Sequence, residues 1–271
     1  MTDTLSVALL QMEQSQKDPK RNLGTLLSFF DSFPKGTDLA VLPEMWITGF
    51  MTSREELDHE LIRESFEEGK RAMQELSKRH SSAIYGSLIE PLEDGSLSNT
   101  ALFFTPDGQQ AGYYSKHQLF GPGGERDYFS SGKDRVQITY KGFELRLAVC
   151  YDLRFPVWLR QDRTLGLYDA LLICANWPHP REKHWQTLLE ARSIENQAYV
   201  IATNRIGNGP KGLVYPGLSA VLDAWGKEVQ RGAKDAPGWL TATLSHEALD
   251  VTRSSFPVLD TLDRFSLTPD E

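Results

Sequence analysis

The stretch "FELRLAVCYDLRFPVW", residues 143–158, joins an apolar run to a polar turn, and a cysteine stands at the junction. The run before Cys150 is short and apolar enough to be a central strand of a sheet. The following residues, which include Asp152 and Arg154, predict a sharp turn that leads into a helix. A free cysteine at a strand end is commonly a small buried core residue. A sulfur beside cationic groups and a helix N-terminus instead becomes a nucleophile, because its pKa falls.

The segments on either side alternate between strand-like and helix-like patterns. Strands are predicted for "LSVALLQ" (5–11), "DLAVLPE" (38–44), "AIYGSLIE" (83–90), "NTALFFTP" (99–106) and "DALLICANW" (169–177). Helices are predicted for residues 18–33, 54–79, 181–198 and 245–256. No linker, repeat or low-complexity tract interrupts this order. We therefore expect one α/β domain over residues 1–271, with a C-terminal tail from about residue 253 that packs on the core or on a partner subunit.

Composition and charge exclude several classes of partner. The formal net charge is −8 and no basic run is present, so neither nucleic acid nor an anionic membrane is expected to bind. The opening residues 1–14 lack the pattern of a signal peptide, and no apolar run reaches the ~18 residues of a membrane span. Two cysteines in 271 residues do not form a disulfide framework, so we expect reduced thiols in a cytoplasmic protein.

Other charged residues also stand where apolar segments end. Glu44 follows "DLAVLP", where a carboxylate is costly unless it has a partner or a task. Lys116 ends the strand-like "AGYYSK" (111–116), where an ammonium group could favour a thiolate and stabilise an oxyanion. Each has a plain alternative, since a strand-end glutamate or lysine commonly faces solvent. Glu125 follows a flexible "GPGG" segment and, taken alone, is an exposed loop acid.

The six histidines point to neither a metal site nor a particular base. His179 and His184 are five residues apart, a spacing that does not bring both onto one helix face to bind a metal. A cysteine–histidine pair stays open, although no histidine falls at a predicted buried strand end.

Taken in order, three segments resemble the motifs of the nitrilase superfamily of carbon-nitrogen hydrolases. "DLAVLPEMWITGF" (38–50) resembles its glutamate motif, "YSKHQLF" (114–120) its lysine motif and "LAVCYDLRFPVW" (147–158) its cysteine motif. The likeness runs from about residue 5 to 245, and residues 175–207 are similar to the omega-amidase branch. The resemblance implies a four-layer α-β-β-α sandwich that forms a homodimer and needs neither a metal nor an organic cofactor.

The resemblance also implies a role for each matching residue. Glu44 would be the general base, Lys116 the lysine that stabilises the oxyanion, and Cys150 the nucleophile. Glu125 would match the second glutamate, which helps to position the lysine and the substrate. The implied reaction is hydrolysis of the terminal amide of 2-oxo dicarboxylate monoamides, such as 2-oxoglutaramate and 2-oxosuccinamate, through a cysteine thioester.

Substrate-binding residues are predicted around the same cysteine. The backbone N–H of Tyr151 is expected to stabilise the oxyanion, and Arg154 is the predicted cation for a distal carboxylate, with a structural ion pair as the alternative role. Trp177, Trp46 and Phe50 are expected to form an apolar wall. Two other interpretations stay open. One is a superfamily member acting on deaminated glutathione, N-carbamoyl amino acids or nitriles, and the other is a non-catalytic binding or redox-sensing protein on the same fold.

Overall fold

The computed structural model describes residues 3–52, 57–263 and 265–267 of the chain. These described residues form two six-stranded sheets and a short two-stranded ribbon. The strands are β1 (Thr4–Gln11), β2 (Leu39–Val41), β3 (Ala83–Pro91), β4 (Leu97–Phe104), β5 (Gln110–Ser115), β6 (Gln137–Tyr140), β7 (Phe143–Val149), β8 (Ala170–Ala175), β9 (Tyr199–Asn204), β10 (Ile206–Asn208), β11 (Val214–Pro216), β12 (Ala220–Leu222), β13 (Glu228–Arg231) and β14 (Gly238–Ser245). The helices are α1 (Pro19–Phe30), α2 (His59–His80), α3 (Glu125–Tyr128), α4 (Pro156–Leu159), α5 (Glu182–Asn196) and α6 (His246–Ser255).

The two large sheets repeat one pairing pattern. The first sheet has the order β14-β1-β2-β3-β4-β5, and the second has the order β6-β7-β8-β9-β12-β13. In each order, one antiparallel pair is followed by two parallel pairs and two antiparallel pairs. Parallel neighbours need a crossover connection, and α1, α2 and α5 lie in the connections β1–β2, β2–β3 and β8–β9. The central strands of both sheets are therefore parallel.

Apolar side chains fill the space between the sheets and the space under the helices. The inner faces of the sheets share one core, which includes Leu9, Tyr85, Leu147 and Ile201. Helices α1 and α2 cover the outer face of the first sheet, and α5 packs against β9 and β12 of the second. Helix α6 lies beside the start of β8, where Arg253 donates to the carbonyl oxygen of Tyr168 at 2.7 Å. The predicted four-layer α-β-β-α sandwich is confirmed.

Two helices differ from their predicted bounds. The helix predicted from residue 54 begins at His59 behind an Asp58 cap, and its predicted first residues, 54–56, lie outside the described residues. The helix expected after Cys150 is a 3-10 turn, Cys150–Arg154, followed by the single turn α4. Phe155 separates the two with φ −110° and ψ 92°, because a residue before proline disfavours the helical conformation. No helix in the described part of the chain is long and apolar enough to cross a membrane.

The described part of the C-terminal tail lies against loops of the same chain. A 3-10 turn covers Val258–Thr261, and the carbonyl oxygen of Leu259 accepts a hydrogen bond from Arg163 at 2.8 Å. The guanidinium carbon of Arg135 lies 5.6 Å from the ring centre of Phe265. These contacts connect the tail to the loops before β6 and before β8.

Candidate active site

Four polar residues follow strands that are distant from one another in the sequence. Lys116, Cys150 and Asn176 are the first residues after β5, β7 and β8, and Glu44 lies three positions after β2. Because β2 belongs to one sheet and β7 and β8 to the other, packing of the sheets brings these strand ends together. Glu44 contacts both Lys116 and Asn176. The site is therefore formed where the two sheets meet at their strand ends.

Cys150 has an unusual backbone conformation. Its φ is +44°, in the left-handed region, which costs a residue with a side chain roughly 1–2 kcal/mol. The strand before it is buried in the core between the sheets, and the chain turns sharply at the cysteine so that its side chain lines a cavity. Backbone strain of this kind clusters at functional sites because the surrounding structure must hold it.

The turn that begins at the cysteine is held by the buried carboxylate of Asp152. One oxygen of Asp152 accepts the N–H of Val149 at 2.9 Å and the hydroxyl of Tyr114 at 2.7 Å. The other oxygen accepts the N–H of Gln118 at 2.8 Å. Burial raises the pKa of Asp152, and these three donors oppose the increase. Asp152 thus ties the cysteine turn to the segment that follows β5.

Lys116 lies between two buried carboxyl groups. Its Nζ is 2.9 Å from Glu44 Oε1 and 2.9 Å from Glu125. Asn99 Nδ2 donates to Glu44 Oε1 at 2.7 Å, and the backbone N–H of Asn176 donates to Glu44 Oε2 at 2.9 Å. The glutamates are 0% exposed and the lysine 1%, so each charge would be costly without its partners. The two carboxyl groups share one ammonium group, and neutral donors, including the side chain of Asn99 and the N–H of Asn176, complete their hydrogen bonds.

The glycine-rich loop before Glu125 permits this burial. Gly124 has φ +91°, and a Cβ there would lie 2.8 Å from the carbonyl oxygen of Thr52. A Cβ at Gly123 would lie 2.5 Å from the ring of Phe120. The backbone N–H of Phe120 donates to Glu125 Oε2 at 2.6 Å. The loop therefore packs too closely for larger residues and turns the carboxylate inward, away from the solvent that the loop sequence alone suggested.

The electrostatics of the site favour a protonated thiol at rest. Burial raises the pKa of Cys150 well above that of an ordinary thiol, and the negative charge of Glu44 adds to the increase. Lys116 and the N–H of Asn176 act in the opposite direction without cancelling it. Burial lowers the pKa of Lys116, but Glu125 and Glu44 outweigh this and raise it well above its usual range. As a hydrogen-bond acceptor for the thiol, Glu44 further raises the pKa of Cys150, and its carboxylate can take the thiol proton.

A cavity opens at Cys150 and Lys116. Its empty volume, with the open mouth included, is about 400 Å³. Of the residues predicted to surround a substrate, those that line this cavity are Phe50, Tyr151, Arg154 and Trp177.

The prediction that Trp46 lines the cavity is wrong. Its side chain is fully buried in the layer between the first sheet and its helices, where it packs with Phe66 and Met73. The chain turns at Met45, whose φ is +44°, and the indole enters this helix-facing layer. Residues two positions apart at a strand end share a face only while the strand remains extended.

Arg154 is not part of an ion pair with the described residues. Its guanidinium carbon lies 4.6 Å from the ring centre of Trp177, and its Nη2 is 3.1 Å from Nδ1 of His184. No carboxylate of the described residues lies within 4.0 Å of it. The structure therefore offers no support for the interpretation of Arg154 as a structural ion-pair residue.

Sequence reasoning did not identify several cavity residues. The further lining residues are Phe120, Asn176, Pro178, Arg181, Leu213 and Tyr215. The available signal was "ANWPHPR" (175–181), in which polar residues directly follow an apolar strand. Leu213 and Tyr215 had no comparable signal, because only the tertiary structure brings their segment to the cavity.

Neither the second cysteine nor a cluster of metal ligands enlarges the site. Cys174 is fully buried, and burial raises its pKa far above that of an ordinary thiol. Among residues 3–52, 57–263 and 265–267, no group of three His, Cys, Asp or Glu side chains is arranged to hold a metal ion.

The fold and the site together define an α/β enzyme with a cysteine in a small-molecule cavity. The carbon-nitrogen hydrolase family model matches residues 6–254, and the chain belongs to the carbon-nitrogen hydrolase family. The predicted membership of the nitrilase superfamily is thereby confirmed, and the protein is a hydrolase of carbon–nitrogen bonds other than peptide bonds.

Relatives match the chain over almost its whole length. Omega-amidase YafV of Yersinia enterocolitica is 38% identical, and the match covers 97% of this chain and 99% of the relative. The 2-oxoglutaramate amidase of Bacillus subtilis is 32% identical, with coverage of 94% and 96%. A solved structure is that of XC1258 from Xanthomonas campestris, a CN-hydrolase superfamily protein with an arsenic adduct in its active site. It has a TM-score of 0.88 and 32% identity, with 98% of this chain and 99% of that chain covered.

Proposed function

We propose that the protein is an amidase that hydrolyses the terminal amide of 2-oxo dicarboxylate monoamides, such as 2-oxoglutaramate and 2-oxosuccinamate, to acid and ammonia. The observation that carries the proposal is the cavity, which combines the Cys150 thiol and its charged partners with the guanidinium of Arg154 in the wall. This combination suits a small amide with a carboxylate at its far end. Relatives named omega-amidase and 2-oxoglutaramate amidase agree with this substrate class.

In the first half of the proposed reaction, Cys150 forms a thioester. Glu44 takes the thiol proton while the sulfur attacks the amide carbon. Lys116 and the backbone N–H of Tyr151 stabilise the oxyanion, because the first amides of a 3-10 turn have no acceptor within it. One such donor contributes about 3–4 kcal/mol in the transition state. Glu44 then returns the proton to the amide nitrogen, the C–N bond breaks and ammonia leaves.

In the second half, water releases the acid. Glu44 removes a proton from the water, the oxygen attacks the thioester carbon, the C–S bond breaks, and Glu44 returns the proton to the sulfur to restore the thiol. Glu125 has a positioning role, since it holds Lys116 at 2.9 Å while the other glutamate gains and loses a proton. Arg154 binds the distal carboxylate, and Phe50 and Trp177 form the apolar walls.

A substrate panel tests this proposal. Purified protein, without added metal or cofactor, is expected to release ammonia from 2-oxoglutaramate and 2-oxosuccinamate faster than from other amides. Turnover of N-carbamoyl amino acids or deaminated glutathione, with none of the keto amides, would assign the protein to another branch of the family. Absence of turnover on every substrate would favour the non-catalytic or redox-sensing interpretation.

The two cysteines provide a matched pair of variants. Cys150→Ala should abolish ammonia release and leave the circular dichroism spectrum unchanged, because only the proposed nucleophile is lost. Cys174→Ala removes the other buried thiol and should keep most of the activity. Turnover by Cys150→Ala at the rate of the unmodified protein would contradict the thioester mechanism.

The proposal also covers the domain organisation, the oligomeric state, the cellular location and the cofactor requirement of the protein. The chain acts as one domain over residues 1–271, supported by the core that both sheets share, and it forms a homodimer. We place it in the cytoplasm with reduced thiols, and it works without a metal or organic cofactor.

A further inference from the structure

Arg181 occupies a position where an arginine does not favour helix formation. It is the last residue of a 3-10 turn, His179–Arg181, that runs directly into α5, and as the N-cap residue of α5 its side chain makes no capping hydrogen bond. N-cap positions favour side chains with an acceptor oxygen, and a positive charge is unfavourable at a helix N-terminus. A guanidinium has five donors and no acceptor, so helix stability does not explain this residue. Local violations of this kind accompany functional sites.

The side chain of Arg181 instead lines the cavity that holds Cys150. Its guanidinium carbon lies 5.3 Å from the ring centre of Phe120. In the described part of the chain, no carboxylate lies within 4.0 Å of Arg181 or of Arg154. Lys116, the remaining cation of the cavity, has both glutamates as partners. The cavity therefore contains two guanidinium groups whose charges no described carboxylate matches.

Trp177 holds both arginines in place. Its Nε1 donates to the carbonyl oxygen of Arg181 at 2.7 Å, and its ring lies against the guanidinium of Arg154. Both arginines line the same cavity. Burial lowers the pKa of Arg154, and the positive charge of Arg181 adds to this decrease. An anion bound by both groups would relieve their repulsion.

We propose that Arg181 is a specificity-determining residue that, together with Arg154, binds the free carboxylate of the amide substrate. The inference rests on the proposed function and adds a second cation to it. Two guanidinium groups can pair with both carboxylate oxygens and with the adjacent 2-oxo oxygen, which a single guanidinium cannot satisfy as fully. The enzyme should accordingly discriminate an anionic amide from a neutral amide of the same length.

The test compares 2-oxoglutaramate with pentanamide, a neutral amide of equal chain length. Arg181→Gln should raise the KM for 2-oxoglutaramate about 10- to 100-fold, as expected for loss of a charge-assisted hydrogen bond. Its kcat/KM for pentanamide should stay within about 2-fold of the starting value, and Arg181→Lys should recover part of the loss. Arg63→Gln, which removes an exposed arginine of α2, should leave kcat/KM unchanged for both substrates.

Two results would overturn the inference. An equal loss on both amides would mean that Arg181 acts structurally through Phe120, whose N–H binds Glu125. An unchanged kcat/KM for both amides would mean that Arg181 has no part in binding.

A binding experiment separates this inference from the proposed reaction. 2-Oxoglutarate should protect Cys150 from iodoacetamide, and Arg181→Gln should need at least about 10-fold more of it for the same protection. Protection measures binding and does not depend on turnover. If the unmodified protein cleaves pentanamide and not 2-oxoglutaramate, the proposed substrate is rejected, and the protection experiment still tests the two-arginine site. Equal protection of both proteins, or protection of neither, would reject the two-arginine site.

Discussion

Cys150 and Cys174 show how strongly the chemical role of a cysteine depends on the residues around it. Cys150 directly follows β7, Cys174 is the penultimate residue of β8, and both are buried. Only Cys150 has a left-handed backbone and a place in the cavity beside Lys116. The proposed chemistry therefore comes from the turn and the charged partners, which the two otherwise similar residues do not share.

The pKa of Cys150 leads to a prediction about pH. Iodoacetamide reacts with the thiolate, which predominates only at a pH above the pKa of the thiol. Because the pKa of Cys150 is raised, its alkylation should require a higher pH than that of an ordinary cysteine. Glu44→Gln removes a negative charge that raises this pKa, and the alkylation profile should move to lower pH. The measurement is the alkylation rate between about pH 6 and 11 in a Cys174→Ala background.

Glu67→Gln is the control for that experiment, because Glu67 is exposed on α2. Its profile should match that of the parent protein. A Glu44→Gln profile that stays in place or moves to higher pH would show that Glu44 does not act on the thiol.

At the scale of elements, the loop between β5 and α3 decides where Glu125 lies. Its glycines pack against Thr52 and Phe120 at distances that leave no room for a Cβ. The carboxylate consequently reaches Lys116 from a helix of only four residues. A loop composition that usually indicates exposure here allows close packing.

Gly124→Ala tests this loop against a matched glycine. Gly124 and Gly95 both have positive φ, +91° and +84°, so alanine at either should cost about 1–2 kcal/mol of stability. Only at position 124 would the new Cβ meet a backbone atom, 2.8 Å away, whereas nothing lies within 4 Å at position 95. Gly124→Ala should therefore lower kcat/KM more than about 10-fold by displacing Glu125, and Gly95→Ala should not. Equal activity of the two variants would argue against the positioning role.

At the scale of the whole molecule, an apolar patch lies on the outside of the second sheet and its helices. The rings of Trp225 and Phe256 stack with their centres 6.0 Å apart, and both side chains are exposed. Ile194 is exposed on α5 next to Gly226, so these residues form one surface. Adjacent exposed apolar side chains are typical of an interface, and they support the proposed homodimer.

Light scattering at micromolar concentration should give about twice the single-chain mass of 30.6 kDa. Ile194→Glu should shift the protein towards the single-chain mass, because it places a charge in the apolar patch. Val229→Glu, at an exposed position of β13 that is not one of these three residues, should leave the mass unchanged. A single-chain mass for the unmodified protein would contradict the homodimer.

The sequence by itself determined the alternation of strands and helices, the α/β class and the positions of Glu44, Lys116 and Cys150 where apolar segments end. These features are local, because alternation of apolar residues sets which face is buried and a polar residue after the run marks where the strand ends. Resemblance of the three motifs added the family.

Only the tertiary structure decided which of the candidate side chains share the cavity. It moved Trp46 into the helix-facing layer, buried Glu125 and brought Arg181 beside Arg154. The contact of Glu44 with Asn176 joins residues 132 positions apart, and no local pattern encodes such a distance. The physical reason is that a cavity forms from packing between segments, whereas sequence periodicity describes each segment alone.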